Sequence, residues 1–261
     1  MEKRSSQQFF VSANEANAQG ELSAHILVTN IIDVATRHAN ALHIGNPDMT
    51  DTDGGWVLSR LTIEMSEWPK VNTHYRLTTW IESYNRHFSE RAFRIDDVDG
   101  NTLGYSRTIW MVIDTKTHTN LGLSHLPLDP SLLDGEAIPI ARQTRHIPIL
   151  TADDAPTQRP SLTATEGVRK YRFKYCDIDF YRHVNTVRYV VLLLNQFSLS
   201  LMDASQVHRL ELSFMHEARY DMVVDILCHR DADAYTFTLS EPSTHSAPLL
   251  FARIALTARR S

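Results

Sequence analysis

The sequence predicts an α+β protein made of two consecutive copies of one plan, each a long buried helix held against a curved antiparallel sheet. Three observations predict it. Two apolar helical stretches, at about residues 25–42 and 183–202, are each followed by a run of alternating strands. A segment rich in Pro, Asp, Thr and Ala lies between the two sets, from Pro127 to Thr165, with Pro139, Pro148, Pro156 and Pro160 opposing regular structure. A weak echo, Ser59-Arg60-Leu61-Thr62-Ile63-Glu64 against His208-Arg209-Leu210-Glu211-Leu212-Ser213, occupies the same place after each helix.

In the first half a short strand over Phe9–Ser12 precedes a polar turn and the first helix, whose Ile26, Leu27, Ile31, Ile32, Val34, Ala35, Ala39 and Leu42 cover more than one stripe, so it should be largely enclosed. Trp56 to Glu67 then alternates, with Val57, Leu61, Ile63 and Met65 against Arg60, Thr62 and Glu64. Tyr75, Leu77, Thr79 and Ile81 form one face of the next strand, and Asp99-Gly100 signals a hairpin joining Phe93–Ile95 to Thr108–Val112. The second half repeats this order: a strand from Arg169 to Tyr175, a helix from His183 to Met202, then strands near 207–215, 222–229, 234–240 and 249–258. A helix on a strongly curved antiparallel sheet is the hot-dog arrangement, and two copies in one chain would pair their sheets as a pseudo-dimer. The expected boundaries are a first domain at 1–140, a linker at 141–166 and a second domain at 167–261.

Composition narrows the function classes. The 261 residues are 43% hydrophobic and 22% charged, an ordinary globular balance, and the formal net charge of -5 gives no global field to draw the chain onto nucleic acid or an anionic membrane. Only two cysteines occur, Cys176 and Cys228, without the paired spacing of a disulfide framework or zinc site. No signal-peptide core follows the N-terminus, and the most apolar stretch, Val187 to Met202, is broken by Arg188, Asn195 and Gln196, short of the ~20 apolar residues that span a bilayer. A cytosolic protein with no metal and no cofactor is expected.

The densest polar cluster is Asp177-Ile178-Asp179-Phe180-Tyr181-Arg182-His183-Val184-Asn185, between a strand and the start of the buried helix. Unpaired amides at a helix N-terminus can stabilise an oxyanion, and a carboxylate and imidazole at the same turn can supply base and positioning groups. Asp and Asn at a helix start are also ordinary caps. The pattern Asp-x-x-x-His-Val-Asn leading into an apolar helix resembles the signature of plant-type acyl-acyl carrier protein (acyl-ACP) thioesterases, which have the double hot-dog fold. Gly55 to Arg60, Trp68-Pro69, Thr79-Trp80-Ile81 and Ser106 to Trp110 resemble that family's first domain, and Leu210-Glu211 with His216 to Asp221 resembles its second catalytic segment.

The resemblance implies a thioester hydrolase with Asp179, His183 and Glu217 as catalytic residues and Tyr181 and Asn185 beside them. Tyr181 stands where the plant pattern has asparagine and Ala218 where it has cysteine, which shifts the expected chemistry from a thiolate to a carboxylate that attacks or activates water. The first half lacks Asp-x-x-x-His, and Trp68 stands where Glu217 would be, so it is expected to select the acyl chain, with Trp56, Met65, Trp80 and Trp110 as candidate tunnel lining or plain core. The implied partner is an acidic acyl carrier protein, met by Lys170, Arg172 and Lys174, which alternate with Tyr171, Phe173 and Tyr175 on one strand, together with Arg182 and Arg188. Such charges are otherwise a solvated face. A homodimer is left open, the lack of a transit segment points to a bacterial cytosolic member, and the alternatives are an acyl-coenzyme A thioesterase or a non-catalytic acyl-binding module.

Overall fold

The computed structural model describes residues 2–46, 49, 53–124, 126, 128–143, 169–231, 234–242 and 248–259. Of the linker expected at 141–166, residues 144–166 lie outside them. The chain divides into two compact units, Met1–Arg142 and Gln143–Ser261.

The first unit runs β1 (Arg4–Phe10), α1 (Ala24–Ala41), β2 (Gly54–Met65), β3 (His74–Tyr84), β4 (Ser89–Asp97) and β5 (Thr102–Asp114). Its strands lie side by side in the order β1-β3-β4-β5-β2. The second runs β6 (Arg169–Arg172), α2 (Thr186–Leu194), α3 (Leu199–Ala204), β7 (Ser205–Phe214), β8 (Val223–Asp231), β9 (Ala234–Ser240) and β10 (Pro248–Ala258), ordered β6-β8-β9-β10-β7. Both orders are the same permutation, and neighbouring strands within each unit pair antiparallel. Each unit is a hot-dog.

Helix α1 lays Leu27, Val28, Ile31, Val34, Ala35 and His38 against the sheet, a three-and-four spacing that buries one stripe. Full burial of each such Leu or Ile contributes about 1.5–3 kcal/mol. Asp33, Thr36, Arg37 and Asn40 are exposed, so α1 is amphipathic rather than enclosed. Near its end, His38 Nδ1 faces a nitrogen of the buried Arg91 at 2.7 Å. Burial first, then the Arg91 charge, depress the imidazole to a pKa of about 4, which keeps it neutral.

Three element boundaries differ from expectation. Strand β1 starts at Arg4 because its backbone zips to β3 from Arg4↔Trp80 to Phe10↔His74, although Ser5, Ser6, Gln7 and Gln8 carry no apolar alternation. The helix expected over 183–202 is two helices, since the chain turns at Asn195 and the Ser198 hydroxyl caps a fresh start by accepting from Leu201 N. Strand β6 stops at Arg172, and the Lys174 amide donates to Asp177 instead of a ladder partner, leaving Tyr175 85% exposed rather than on a buried aromatic face.

Among the described residues no helix is long and apolar enough to cross a membrane.

Candidate active site

Two segments of the second unit build the site. The first joins β6 to α2 and is shaped by two aspartates. Asp177 is buried, and its Oδ2 accepts from the Lys174 amide at 2.7 Å and the Tyr171 hydroxyl at 2.9 Å, while its carbonyl accepts from the Asn185 amide at 2.8 Å. Asp179 is half-buried, and its Oδ1 accepts from the amides of Tyr181 at 2.9 Å and His183 at 3.1 Å. A short carboxylate folding back onto its own backbone closes an Asx turn. Arg182 completes the turn with φ at 68°.

The second segment follows β7. His183 bridges Arg219, and the Val184 amide donates to the Ala218 carbonyl at 2.8 Å, so the two segments run antiparallel. Opposed residues share a face, as do residues two apart, which puts His183, Arg219 and Glu217 on one side. His183 Nε2 lies 3.0 Å from Glu217 Oε2, with both side chains partly open to solvent, at 24% and 34%. The structure therefore brings Asp179, His183 and Glu217 together: Asp179 holds the His183 backbone, and His183 holds Glu217.

Asn185 is the N-cap of α2, its Oδ1 accepting from Val187 N at 2.9 Å, so the capping reading describes it. The amides of His183, Val184, Asn185, Val187 and Arg188 all donate inside the chain, leaving Thr186 as the amide of this helix start with no partner among the described residues. Tyr181 is half exposed, and its ring lies against Phe180 with centroids 3.9 Å apart. Cys176 is exposed and Cys228 buried.

Tyr189 was missed by sequence reasoning. It sits in the first turns of α2, buried edge-on between Phe173 and Phe214 at 5.7 and 5.8 Å. Burial raises its phenol pKa, the Ala218 backbone opposes the rise, and the charges of Glu217 and Asp179 add to it. The hydroxyl thus stays protonated, within the field of the Glu217 and Asp179 charges. The available signal was the spacing: Tyr189 lies six residues after His183, on the apolar stripe of the helix.

The expected basic patch divides. Lys170 pairs with Asp225 at 2.8 Å, Arg172 with Asp221 at 3.1 Å, and Arg188 Nε lies 4.0 Å from Asp177. Lys174 and Arg182 form no ion pair among the described residues, nor does Arg219, which was not expected in the patch. The four candidate tunnel residues are not brought together either. Trp80 pairs across the ladder with Ala92 and packs with Ile138 and Ile140 on the sheet face opposite that of Tyr75, which meets α1 through Asn30. Trp56 clusters with Met49, Val112 and Leu123 at one end of β2, while Met65 is buried at the other end, opposite Gly104. The Trp110 Nε1 donates to Thr108 Oγ1 at 2.8 Å.

The first unit carries the same loop. Its Asn17 Oδ1 accepts from the amides of Gln19 and Glu21, both at 3.0 Å, and the Asn17 amide donates to the Glu21 carbonyl, as Asp179 does with His183. Glu21 bridges Lys70 as His183 bridges Arg219, and Gly20, with φ at 71°, stands where Arg182 is. Glu21 is buried, and its Oε1 accepts from Lys70 Nζ at 2.7 Å. Trp68, equally placed after β2, is buried where Glu217 is half open.

Among the described residues, no three His, Cys, Asp or Glu side chains are arranged to hold a metal.

Comparison with known proteins gives a consistent picture. Residues 2–122 match the acyl-ACP thioesterase N-terminal domain and residues 161–247 the acyl-ACP thioesterase C-terminal domain. A chloroplastic acyl-[acyl-carrier-protein] hydrolase of Cuphea viscosissima is 23% identical over 238 residues, 86% of this chain and 54% of the relative. A palmitoyl-acyl carrier protein thioesterase of Gossypium hirsutum is 22% identical over 250 residues, 93% of this chain and 56% of the relative. The chain thus spans about half the length of these plant relatives. Among solved structures, an acyl-ACP thioesterase from Bacteroides thetaiotaomicron superposes with a TM-score of 0.83 at 24% identity, covering 98% of each chain. The 12:0-ACP thioesterase from Umbellularia californica superposes with a TM-score of 0.81 at 14% identity, covering 98% of this chain and 94% of that one.

Proposed function

This chain belongs to the acyl-ACP thioesterase family, and from that premise we propose that it hydrolyses the thioester of an acyl-acyl carrier protein, releasing a free fatty acid and the carrier thiol. The observation that carries the reading is the His183 Nε2 to Glu217 Oε2 contact of 3.0 Å beside the Asp179 turn.

With the ring proton on Nε2, His183 donates to Glu217 and fixes its carboxylate. Glu217 then takes a proton from water as the oxygen adds to the thioester carbon. The Thr186 amide, at the positive end of α2, donates to the oxyanion that forms. Collapse of the adduct breaks the carbon–sulfur bond, and the proton held by Glu217 passes to the departing thiolate. Asp179 supports this by fixing the His183 backbone through Oδ1, while its charge lies beside the reacting groups. Direct attack by the Asp179 carboxylate, giving an anhydride that water then opens, is the competing route. In a single turnover in 18O-water, direct attack by water labels the released acid, whereas an anhydride opened at the Asp179 carbonyl labels Asp179 and leaves the acid unlabelled. An anhydride opened at the acyl carbonyl is separated from direct water attack by trapping the acyl group with hydroxylamine.

The second unit is the catalytic domain in this reading, and the first selects the acyl chain on the helix-facing side of its sheet, where Trp56, Met65 and Trp110 stand. Trp80 faces the other way and has no place in that lining.

The test is a panel of acyl-carrier-protein and acyl-coenzyme A thioesters incubated with purified protein while free acid is measured. Release with kcat/KM highest on carrier-protein substrates is expected. Binding of every thioester without release would make the chain a non-catalytic acyl-binding module.

A further inference from the structure

Five large apolar side chains of the second unit stand in solvent around the site: Tyr175, Phe180, Tyr181, Met215 and Tyr220. They occupy two short loops, residues 174–182 and 215–220, knit together by the His183 and Arg219 bridge. Nothing in the fold asks for them there, because the core beneath is already filled by Phe173, Tyr189, Leu193 and Phe237. Exposed aromatics gathered in one place mark surfaces that bind something.

The same loops carry the cations that the fold leaves unused. Lys174, Arg182 and Arg219 are exposed and form no ion pair among the described residues, whereas Lys170, Arg172 and Arg188 face Asp225, Asp221 and Asp177. The nearby carboxylates are already engaged, Asp177 and Asp179 by backbone amides, Glu217 by His183 and Asp221 by Arg172. Across residues 172–188 and 215–221 five cations, Arg172, Lys174, Arg182, Arg188 and Arg219, stand against four carboxylates, Asp177, Asp179, Glu217 and Asp221, a slight positive excess on a chain whose formal net charge is -5.

Arg182 adds an independent mark. It holds φ at 68° where the matching turn of the first unit uses Gly20 at 71°. A side chain in that left-handed region costs about 1–2 kcal/mol relative to the right-handed one, a cost that glycine avoids. Keeping an arginine in a strained turn one residue before His183 points to a use for its charge.

We propose that this rim is the docking surface for the acidic carrier protein, with Arg182 as its anchor, Lys174 and Arg219 as flanking charges, and Tyr175, Phe180 and Tyr220 as the apolar contacts. The proposal rests on the carrier-protein reading above, and it moves docking from the β6 strand to the mouth of the site. A net acidic chain repels an acidic partner in general, so association needs a local cationic patch, and Arg beside aromatics is the composition that concentrates interface energy. Placing the patch around His183 and Glu217 delivers the thioester where it is cut.

The test measures direct binding to a carrier protein loaded with a non-hydrolysable acyl amide, so that it reads docking whether or not the chain hydrolyses anything. Arg182→Gly suits that turn, so the variant should fold at least as well as the parent while its Kd rises tenfold or more. Lys174→Ala with Arg219→Ala should raise Kd by a similar factor and flatten its dependence on salt. Reversal of Lys170 and Arg172 to Glu should change Kd less. Unchanged Kd in both rim variants overturns the proposal. An equal loss of affinity for an acyl-coenzyme A analogue also overturns it, since the rim would then be reading the phosphate of the pantetheine arm rather than the carrier's surface. Failure of the hydrolysis panel with a Kd that still responds to Arg182→Gly would sink the catalytic reading and leave the docking surface standing.

Discussion

The loop at residues 174–185 and the loop at residues 12–23 share a backbone down to individual hydrogen bonds, yet their side chains differ, with Asp179 against Asn17 and His183 against Glu21, and the facing segments set Glu217 against Trp68. The first-unit loop shows what the turn itself requires, which is one side-chain oxygen accepting two amides, a job that Asn17 does without charge. Whatever the second loop needs beyond that must lie in the Asp179 charge, the His183 imidazole and the Glu217 carboxylate. Burial follows the same division. Glu21 and Trp68 are closed off, while His183 and Glu217 remain partly open to solvent.

The largest expected effect separates the two copies. Glu217→Gln keeps the shape and removes the base, and kcat should fall about 10²–10⁴-fold. Glu21→Gln in the first-unit loop should leave kcat within a few-fold of the parent. Free acid release under saturating substrate measures both, and equal losses would mean that the two loops are not functionally distinct.

A second difference lies at the helix ends. The first unit buries His38 against Arg91, whereas the second packs Phe197 edge-on against Tyr235 and Phe237. The His38 pKa is held at about 4 in the folded chain, below its unfolded value of about 6.5, so the unfolded state binds more protons between these limits. The stability from neutral His38 is thus fully present above pH 6.5 and is lost as pH falls toward 4, by up to about 3 kcal/mol. His38→Gln should flatten that part of the Tm profile. An unchanged slope would show that other groups cause it.

The smallest effect concerns Tyr189. Its hydroxyl lies near the Ala218 backbone and within the field of both carboxylates, so Tyr189→Phe should lower kcat several-fold, about 1 kcal/mol, with little change in KM. A variant that lost stability and kept kcat would reduce Tyr189 to a packing residue.

Apolar periodicity made the repeated plan legible, because α1 buries one stripe and the strand sequences alternate, although β3, β4 and β10 are buried on both faces over much of their length. It could not reveal β1, whose Ser and Gln residues are held by a backbone ladder, nor the break after Leu194, where the Ser198 hydroxyl caps a second helix within one largely apolar stretch. Asp179, His183 and Glu217 were named through family resemblance rather than spacing, and what the structure adds is that they lie together. The first-unit loop was legible in principle, since Asn17-x-x-x-Glu21 has the spacing of Asp179-x-x-x-His183, but polar loops carry no periodic signal that would align them. The pairing of Lys170 and Arg172 with Asp225 and Asp221 was out of reach for a different reason: it depends on the β6–β8 register, which sequence alternation does not specify.

Charge, rather than loop shape, is what separates the two copies, and Asp179→Asn puts this to a single measurement. Asn17 shows that asparagine can hold this turn, so the variant should keep the parent's Tm and circular dichroism while release of free acid from acyl-ACP falls about 10²-fold or more. Full turnover by a folded Asp179→Asn protein would contradict the account.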